Sequence, residues 1–469
     1  MTDYSTISRV YFIGIGGIGM SALARYFVSK NIIVSGYDKT STPLTQQMEA
    51  EGIRIHYDDN VNLIDKNADL VVYTPAIPKD QKEFNYYKDH DYNLAKRSDV
   101  LQEITKDSFN ICIAGTHGKT TISTMIAHIL RNSGFGCNAF LGGISVNYHT
   151  NFWSSSNNVS VVEADEYDRS FLKLSPDIAV ITAMDADHLD IYGTKENMED
   201  AFVEFANRLK AGGLLLTRYG LPEKEFTAAK HLRYSLQNSA ADVYASDITM
   251  KNGGYEFNVI TEKRVFENIR LNMGGMHNVE NAVVAIVVAD SLDIDPEKIK
   301  ESVETFKGVK RRFEYIIPVA EAEKLKNNVV FIDDYAHHPQ ELSALIKGAK
   351  SLFSNRECTV IFQPHLFSRT KDFAKEFAES LDMADRILLL PIYPARELPV
   401  EGVSSELILK EMENNNATII SPEGLLKYLE GDYLKSVHKS SFGELLITAG
   451  AGDIDKLVQP IKKILLNTF

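Results

Sequence analysis

A glycine-rich segment that carries a lysine and several threonines lies between a β-branched run at 110–114 and an apolar helical pattern at 120–132. Backbone N–H groups of such a loop hold phosphates, the lysine reaches the terminal phosphates, and a threonine hydroxyl can ligate Mg²⁺. The segment is shorter than the full G-x-x-x-x-G-K-[ST] pattern, because residue 113 is isoleucine. It nevertheless predicts an ATP-binding loop, formed by Gly115, Thr116, His117, Gly118, Lys119, Thr120 and Thr121.

A second glycine segment, at 14–19, satisfies G-x-G-x-x-G between a predicted strand and a predicted helix, and Asp38 ends the next strand. Read literally, this is a dinucleotide-binding fingerprint. Glycines and a helix N-terminus accommodate any pyrophosphate, however, including that of a UDP-sugar. The residues alone leave open NAD or FAD, another diphosphate, and a purely structural glycine turn.

Two acidic clusters follow the predicted strands behind the lysine loop. One runs from Glu163 to Glu166, and the other contains Asp185, Asp187 and His188. The carboxyl ends of parallel strands border the crevice where ligands bind. Carboxylate oxygens suit Mg²⁺, whereas imidazole is a less usual partner for it. An acidic loop is often only solvated, but two on successive strands favour a magnesium site.

Asn278 and the pair Arg311-Arg312 lie near the end of the middle part of the chain. Asn278 stands at the start of an apolar helix, where it either caps the helix or contacts a ligand. The arginine pair either forms a solvated hinge or brings positive charge to a transferring phosphoryl group.

Histidines accumulate at the ends of two predicted strands in the last third of the chain. Asp334 and His337 follow one strand, and His365 and Arg369 follow the next. A single histidine at such a place is more often structural than functional. Together these side chains indicate a polar site that could hold a carboxylate and an amine.

Alternating strands and helices must position all of these residues. The predicted strands are 10–15, 32–36, 70–73, 110–114, 159–162, 178–182, 329–332, 359–362, 387–390 and 445–448, and the predicted helices are 20–30, 120–132, 340–350 and 371–378. The alternation predicts α/β domains built on parallel sheets. The pattern restarts twice, so we predict three units, 1–107, 108–312 and 313–469.

Composition excludes several classes of protein. The 469 residues carry a net charge of −14 with no basic run, which disfavours nucleic-acid binding. Three widely spaced cysteines make neither a disulfide framework nor a four-cysteine zinc site. No apolar run reaches the length of a membrane span, and no secretory signal is evident. We therefore expect a cytoplasmic protein without membrane insertion.

Taken in order, the motifs GIGGIGM, GTHGKTT, EADE, DxDHLD, HNxxNA, RRFE, DDYAHHP, QPHxFSRT and GAGDI resemble those of the Mur ligases over essentially the whole chain. The resemblance implies an N-terminal Rossmann-like UDP-binding domain, a central ATPase domain and a C-terminal Rossmann-like domain. Within the family it points to ATP-dependent joining of L-alanine to the lactyl carboxylate of UDP-N-acetylmuramate, in the synthesis of peptidoglycan precursors. An acyl phosphate and a tetrahedral intermediate, Mg²⁺ as cofactor, and a monomer or weak homodimer are implied as well.

The resemblance also implies roles for single residues, beginning with catalysis by Lys119, His188 and Arg312. It implies Mg²⁺ ligation by Thr120, Glu163 and His188. The implied ATP contacts are the loop 115–121 with Asn278, Asn281 and Asp334. The implied UDP-substrate contacts are Gly16, Gly17, Ile18, Gly19 and Asp38. The implied amino-acid contacts are Tyr335, His337, His365 and Arg369. One family feature, a carbamylated lysine on the helix after the DHLD motif, is not carried over, because 198–209 contains no lysine.

Two alternative activities and one non-catalytic role compete with this interpretation. A murein peptide ligase would add a recycled tripeptide in place of alanine, although QPHxFSRT and GAGDI favour the alanine-adding branch. An NAD-dependent oxidoreductase would account for 14–19 and Asp38, but it leaves the lysine loop unexplained. A nucleotide switch without catalysis leaves the C-terminal polar site unexplained.

Overall fold

The computed structural model describes residues 6–186, 188–222, 224–395, 397–437 and 442–467. The chain divides into two compact units. The first contains the chain up to Ala245 together with Val259–Phe266 and Glu280–Val303, and the second contains Ser246–Asn258, Glu267–Val279 and the chain from Glu304 onward. Within the described residues, no helix has both the length and the apolar character needed to cross a membrane.

A five-stranded parallel sheet opens the first unit, with strand order β3-β2-β1-β4-β5. Strand β1 pairs with β2 on one side and with β4 on the other, so it lies at the centre of the sheet. Four of its five residues are buried. The elements are β1 Arg9–Ile13, α1 Ile18–Ser29, β2 Ile33–Tyr37, α2 Pro43–Ala50, β3 Arg54–His56, β4 Leu70–Tyr73, α3 Lys82–Asp89, β5 Leu94–Lys96 and α4 Arg97–Thr105.

A ten-stranded sheet follows, with order β15-β14-β13-β12-β11-β10-β6-β9-β7-β8. Its strands β6, β9 and β10 are parallel neighbours and consist largely of buried β-branched residues, which suits a sheet covered on both faces. The elements are β6 Phe109–Ala114, α5 Lys119–Asn132, β7 Asn138–Phe140, β8 Phe152–Trp153, β9 Val159–Glu163, a 3₁₀-helix Ser170–Lys173, β10 Ile178–Ile181, α6 Leu189–Tyr192, α7 Lys195–Ala206, β11 Leu214–Arg218, β12 Lys230–Ser235, β13 Val243–Lys251, β14 Gly254–Ile260, β15 Val265–Leu271, α8 Met276–Ser291 and α9 Pro296–Thr305.

The second unit holds a six-stranded sheet of order β16-β17-β21-β18-β19-β20, in which only β16 runs antiparallel to its neighbour. The elements are β16 Glu314–Ile317, α10 Val319–Ala322, β17 Val329–Asp334, α11 Pro339–Leu352, β18 Glu357–Phe362, α12 Phe367–Asp372, α13 Ala374–Leu381, β19 Arg386–Leu389, α14 Glu406–Glu411, β20 Ala417–Ile419, α15 Pro422–Tyr428, a π-helix Leu429–Tyr433, α16 Leu434–Val437, β21 Glu444–Ala449 and α17 Asp455–Leu466.

The α/β class with parallel sheets is confirmed, and every predicted strand corresponds to an observed one within two residues at each end. The predicted helix at 371–378 is wrong in one respect, because the chain breaks at Phe373 (φ −122°, ψ 23°) into α12 and α13. The strands β3, β5, β7, β8, β11–β16 and β20 were not predicted. The division at 107 and 312 stays a prediction.

The close pairing of β1 and β2 requires glycine at position 36. A Cβ there would lie 2.5 Å from the Phe12 carbonyl oxygen and 2.9 Å from Ile15 Cδ1. Gly36→Ala is therefore expected to destabilise the fold by about 1–3 kcal/mol. The measurement is the apparent urea-unfolding midpoint, followed by tryptophan fluorescence and circular dichroism.

Ser35→Ala on the same strand is the matched control. The Ser35 hydroxyl is buried and has no hydrogen-bond partner among the described residues, so its removal should leave stability unchanged or slightly raised. Equal midpoints for the two variants would contradict the packing described for β1 and β2.

Candidate active site

The lysine loop joins the end of β6 to the start of α5 in a conformation that needs glycine. Gly115 has φ +122° and Gly118 has φ +82°. A Cβ on Gly115 would lie 2.1 Å from Thr182 Oγ1. The Thr182 hydroxyl donates to the carbonyl of His117, and the Thr116 N–H donates to the Ala183 carbonyl at 3.2 Å. The end of β10 thus fixes the loop from beside it.

The Lys119 ammonium lies at the first turn of α5 and donates to two oxygens. One belongs to the Gly115 carbonyl at 2.7 Å and the other is Glu166 Oε1 at 2.8 Å. The Glu166 side chain is 2% exposed, and its burial raises the pKa of that carboxyl, against the lowering effect of Lys119. Glu166 belongs to one of the two predicted acidic clusters, but no role of its own was predicted for it.

Thr120 and Glu163 bring two side-chain oxygens together near the lysine. The Thr120 hydroxyl donates to Glu163 Oε1 at 3.1 Å, and Glu163 Oε2 accepts from the Gly142 N–H at 3.1 Å. Burial raises the pKa of Glu163, opposed by the nearby Lys119 charge. A divalent cation would offset this loss of solvation, so the donor set fits Mg²⁺, which commonly takes one or two protein oxygens and completes its shell with water and phosphate.

The two histidines near the loop have contacts of their own. His117 is exposed and lies 3.5 Å from Asp185 Oδ2, whereas the His188 ring lies 5.1 Å from that of Tyr167. Asp187 lies outside the described residues. Among the residues described, no three His, Cys, Asp or Glu side chains are arranged to hold a metal. Ligation by His188 therefore stays a prediction.

The two asparagines of helix α8 have different surroundings. In the first unit, Asn281 Oδ1 lies 3.0 Å from the position that a Cβ on Gly118 would take, so it adjoins the lysine loop. In the second unit, the Asn278 side-chain amide donates to the Gly274 carbonyl at 2.7 Å. Because α8 begins at Met276, Asn278 stands within its first turn and is not its cap.

The N-terminal glycine loop uses several of its own N–H groups internally. Those of Gly14 and Ile15 donate to the Tyr37 carbonyl, and that of Gly16 donates to Asp38 Oδ2 at 2.8 Å. Asp38 thus supports the loop, where a dinucleotide fingerprint would have it on a ribose. A direct contact of Asp38 with the substrate stays a prediction.

A cavity of about 390 Å³ in the first unit is bordered by both the glycine loop and the acidic turn 163–168. Helix α1 begins at this cavity without a side-chain cap, so its first N–H groups are available to an anion. Arg97 also lines the cavity, and its guanidinium lies 3.6 Å from Asp165. Arg97 was not predicted, because its position after a three-residue strand carries no motif. The lining includes Gly17, Ile18, Gly19, Arg97, Glu163 and Asp165.

In the second unit, Asp334 is a half-buried carboxylate at the end of β17. It accepts from the N–H groups of Phe313 and Ala336, both at 2.7 Å. Burial nevertheless raises the pKa of Asp334 to about 6, while these hydrogen bonds and the charge of Arg312 lower it. The predicted residues Arg312 and Asp334 are therefore electrostatic neighbours.

The four residues predicted to bind an amino acid form one group in the second unit. The His337 ring lies 5.2 Å from that of Tyr335 and 6.0 Å from that of His365, and Arg369 lies 3.4 Å from His365 Nδ1. Burial lowers the pKa of both histidines, so the imidazoles are neutral at pH 7. Tyr393, which was not predicted, stacks on His365 with the ring centroids 5.9 Å apart.

A phosphate-binding loop between strand and helix, with a lysine and a threonine–carboxylate pair, defines a nucleotide-binding α/β protein. Three family models match in succession: the Mur ligase family catalytic domain over 9–109, the Mur ligase middle domain over 113–289, and the Mur ligase glutamate ligase domain over 311–431. The chain belongs to the Mur ligase family, and it is an enzyme of the ligase class.

Relatives match along the whole chain. A UDP-N-acetylmuramate–L-alanine ligase of Cytophaga hutchinsonii is 47% identical, covering 97% of this chain and 96% of the relative. One of Porphyromonas gingivalis is 45% identical, with 98% and 99% covered. The crystal structure of UDP-N-acetylmuramate-alanine ligase from Thermotoga maritima superposes with a TM-score of 0.81 at 27% identity, covering 98% and 100%. A murein peptide ligase from Psychrobacter arcticus gives 0.64 at 22% identity over 98% and 99%, which shows the fold alone.

Replacing Lys119 by alanine removes the cation that is predicted to contact the phosphates of ATP. We expect ATP-dependent turnover to fall by about a hundredfold or more, because charge developing on the phosphoryl group would lose its fixed partner. The measurement is initial-rate phosphate release at saturating substrates. Lys195→Ala, on the exposed face of α7, is the control and should keep normal turnover. Near-normal turnover of Lys119→Ala would refute the assignment of the loop.

Proposed function

We propose that this protein joins L-alanine to the lactyl carboxylate of UDP-N-acetylmuramate at the expense of ATP, during synthesis of peptidoglycan precursors. The observation that carries the proposal is full-length identity of 42–47% to relatives of that activity. The local geometry supports the proposal, because a cavity suited to a diphosphate adjoins a lysine loop suited to ATP. Glu163 connects them, since it lines the cavity and accepts a hydrogen bond from Thr120 of the loop.

Within the first unit, the N-terminal glycine loop would hold the pyrophosphate of the UDP-sugar. Gly17, Ile18 and Gly19 line the cavity, Gly16 would contribute as the residue before them, and Arg97 adds a positive charge at the same cavity. The loop 115–121 would hold the phosphates of ATP, with Asn281 beside it. Thr120 and Glu163, with His188 as a further candidate, would hold Mg²⁺, which neutralises phosphate charge when bound.

In the proposed reaction, a lactyl carboxylate oxygen attacks the γ-phosphorus and the bond to the β–γ bridging oxygen breaks, giving ADP and an acyl phosphate. The amine of alanine, after losing a proton, attacks the acyl carbon to give a tetrahedral intermediate. This intermediate expels phosphate and leaves the amide. Lys119 would stabilise the charge on the phosphoryl group in both steps.

In the second unit, Asn278 and Asp334 would contact the nucleoside of ATP, and Arg312 would add positive charge beside them. The group of Tyr335, His337, His365 and Arg369 would bind alanine. A guanidinium pairs readily with a carboxylate, which assigns the carboxylate of alanine to Arg369. Neutral imidazoles would add no further positive charge beside the ammonium of alanine.

The direct test is phosphate release with ATP, Mg²⁺ and UDP-N-acetylmuramate, with alanine, glycine, serine or a tripeptide amine added in turn. We expect release that depends on alanine, with the corresponding amide seen by mass spectrometry. Ligation of the tripeptide and not of alanine would instead indicate a murein peptide ligase. Tight NADH binding that UDP-N-acetylmuramate does not displace would indicate an oxidoreductase.

Arg369→Ala should chiefly raise the KM for alanine, by about tenfold or more, because a charge-assisted hydrogen bond to the substrate is lost. The value of kcat and the KM for ATP should change much less. Lys371→Ala, on the same short helix and exposed, is the matched control and should leave the KM for alanine unaltered. An unchanged KM in Arg369→Ala would remove this residue from the pocket.

A further inference from the structure

The Lys119 ammonium has three N–H donors, and two of them are used by fixed acceptors. The acceptors are the Gly115 carbonyl at 2.7 Å and Glu166 Oε1 at 2.8 Å. The Gly115 carbonyl belongs to a loop fixed by the end of β10. Two fixed acceptors determine the direction of the third donor, which a flexible lysine would otherwise sample by rotation.

Glu166 is itself held in place. Its backbone carbonyl accepts from the Tyr192 hydroxyl at 2.6 Å and from the Arg169 N–H at 3.0 Å. Its carboxylate is almost fully buried, and Oε2 has no hydrogen-bond partner among the residues that the structure describes. A buried carboxylate with one unpaired oxygen is costly for a fold, so a structural salt bridge alone is a poor explanation for it.

The position of Glu166 also opposes nucleotide binding. A phosphate that approaches Lys119 meets a second negative charge less than 3 Å from the ammonium, in a region of low solvent exposure where charges are weakly screened. The carboxylate therefore lowers the affinity of the loop for phosphate while it orients the lysine. An interaction that weakens ground-state binding and favours the transition state raises kcat at the expense of KM.

We propose that Glu166 is a positioning residue for phosphoryl transfer: with the Gly115 carbonyl it fixes two donors of Lys119, so that the third points to a phosphate oxygen of ATP, and it does so at a cost in nucleotide affinity. The inference rests on the proposed binding of ATP at the loop 115–121, and it adds to that function a residue acting through Lys119.

The test is Glu166→Gln, which keeps the shape of the side chain and removes its charge. We expect kcat to fall by about tenfold or more, because Lys119 is less firmly oriented. The dissociation constant for ADP, measured by calorimetry, should fall by about threefold or more, because the repelling charge is gone. A purely structural role would weaken nucleotide binding and turnover together. Opposite changes in kcat and in affinity are therefore the distinguishing result.

Two further variants complete the experiment. Glu166→Asp keeps the charge one methylene further away, so ADP affinity should stay near that of the wild type and kcat should recover in part. Glu444→Gln is the matched control, because Glu444 is also a buried glutamate with an unpartnered Oε2, in the second unit. It should leave both quantities unaltered.

Weaker ADP binding in Glu166→Gln, or unchanged kcat and affinity, would overturn the inference. If Glu166→Gln is too unstable for calorimetry, the ADP-induced rise of its thermal midpoint gives the same comparison, and a smaller rise than in the wild type counts against the inference. Failure of the proposed function is seen separately, as wild-type protein that binds ADP but releases no phosphate in response to alanine.

Discussion

The nucleotide site depends on the close approach of the Thr182 hydroxyl to Gly115, which is possible because glycine has no side chain. Thr182 follows β10 and occupies the space that any Cβ at position 115 would need, and it donates to the His117 carbonyl from there. The loop is thereby fixed to the neighbouring strand, and α5 begins where Lys119 and Thr120 face the acidic turn. Because β6, β9 and β10 are adjacent parallel strands, the loop and the residues after β9 and β10 meet at one edge of the sheet.

The side chains of the acidic turn after β9 point in different directions and so reach two neighbouring sites. Glu163 pairs with Thr120, and Asp165 lies near Arg97 at the substrate cavity. Glu166 points back to Lys119. A single turn therefore carries groups for the proposed metal site, the cavity of the first unit and the lysine. This arrangement accounts for the density of carboxylates there, which on an ordinary surface loop would only interact with water.

For the glycine segment at 14–19, the geometry in the structure says more about its ligand than the sequence motif does. Its spacing fits a dinucleotide fingerprint, yet Asp38 accepts a hydrogen bond from Gly16 and so helps to build the loop. The ligand-facing part is the uncapped start of α1 together with Arg97. An uncapped helix start beside an arginine suits a diphosphate, in keeping with the proposed binding of the UDP-sugar.

The sequence by itself determined the α/β class, the strands that carry the site, and the two glycine loops, because hydrophobic periodicity and glycine placement are local properties of the chain. Only the tertiary structure decided which polar residues meet. The pairing of Lys119 with Glu166 spans 47 positions, and that of Arg97 with Asp165 joins a residue outside any motif to one inside the acidic cluster. The break at Phe373 and the strands β13–β15 were likewise beyond local patterns, since packing against distant segments outweighs the weak intrinsic preferences of such stretches.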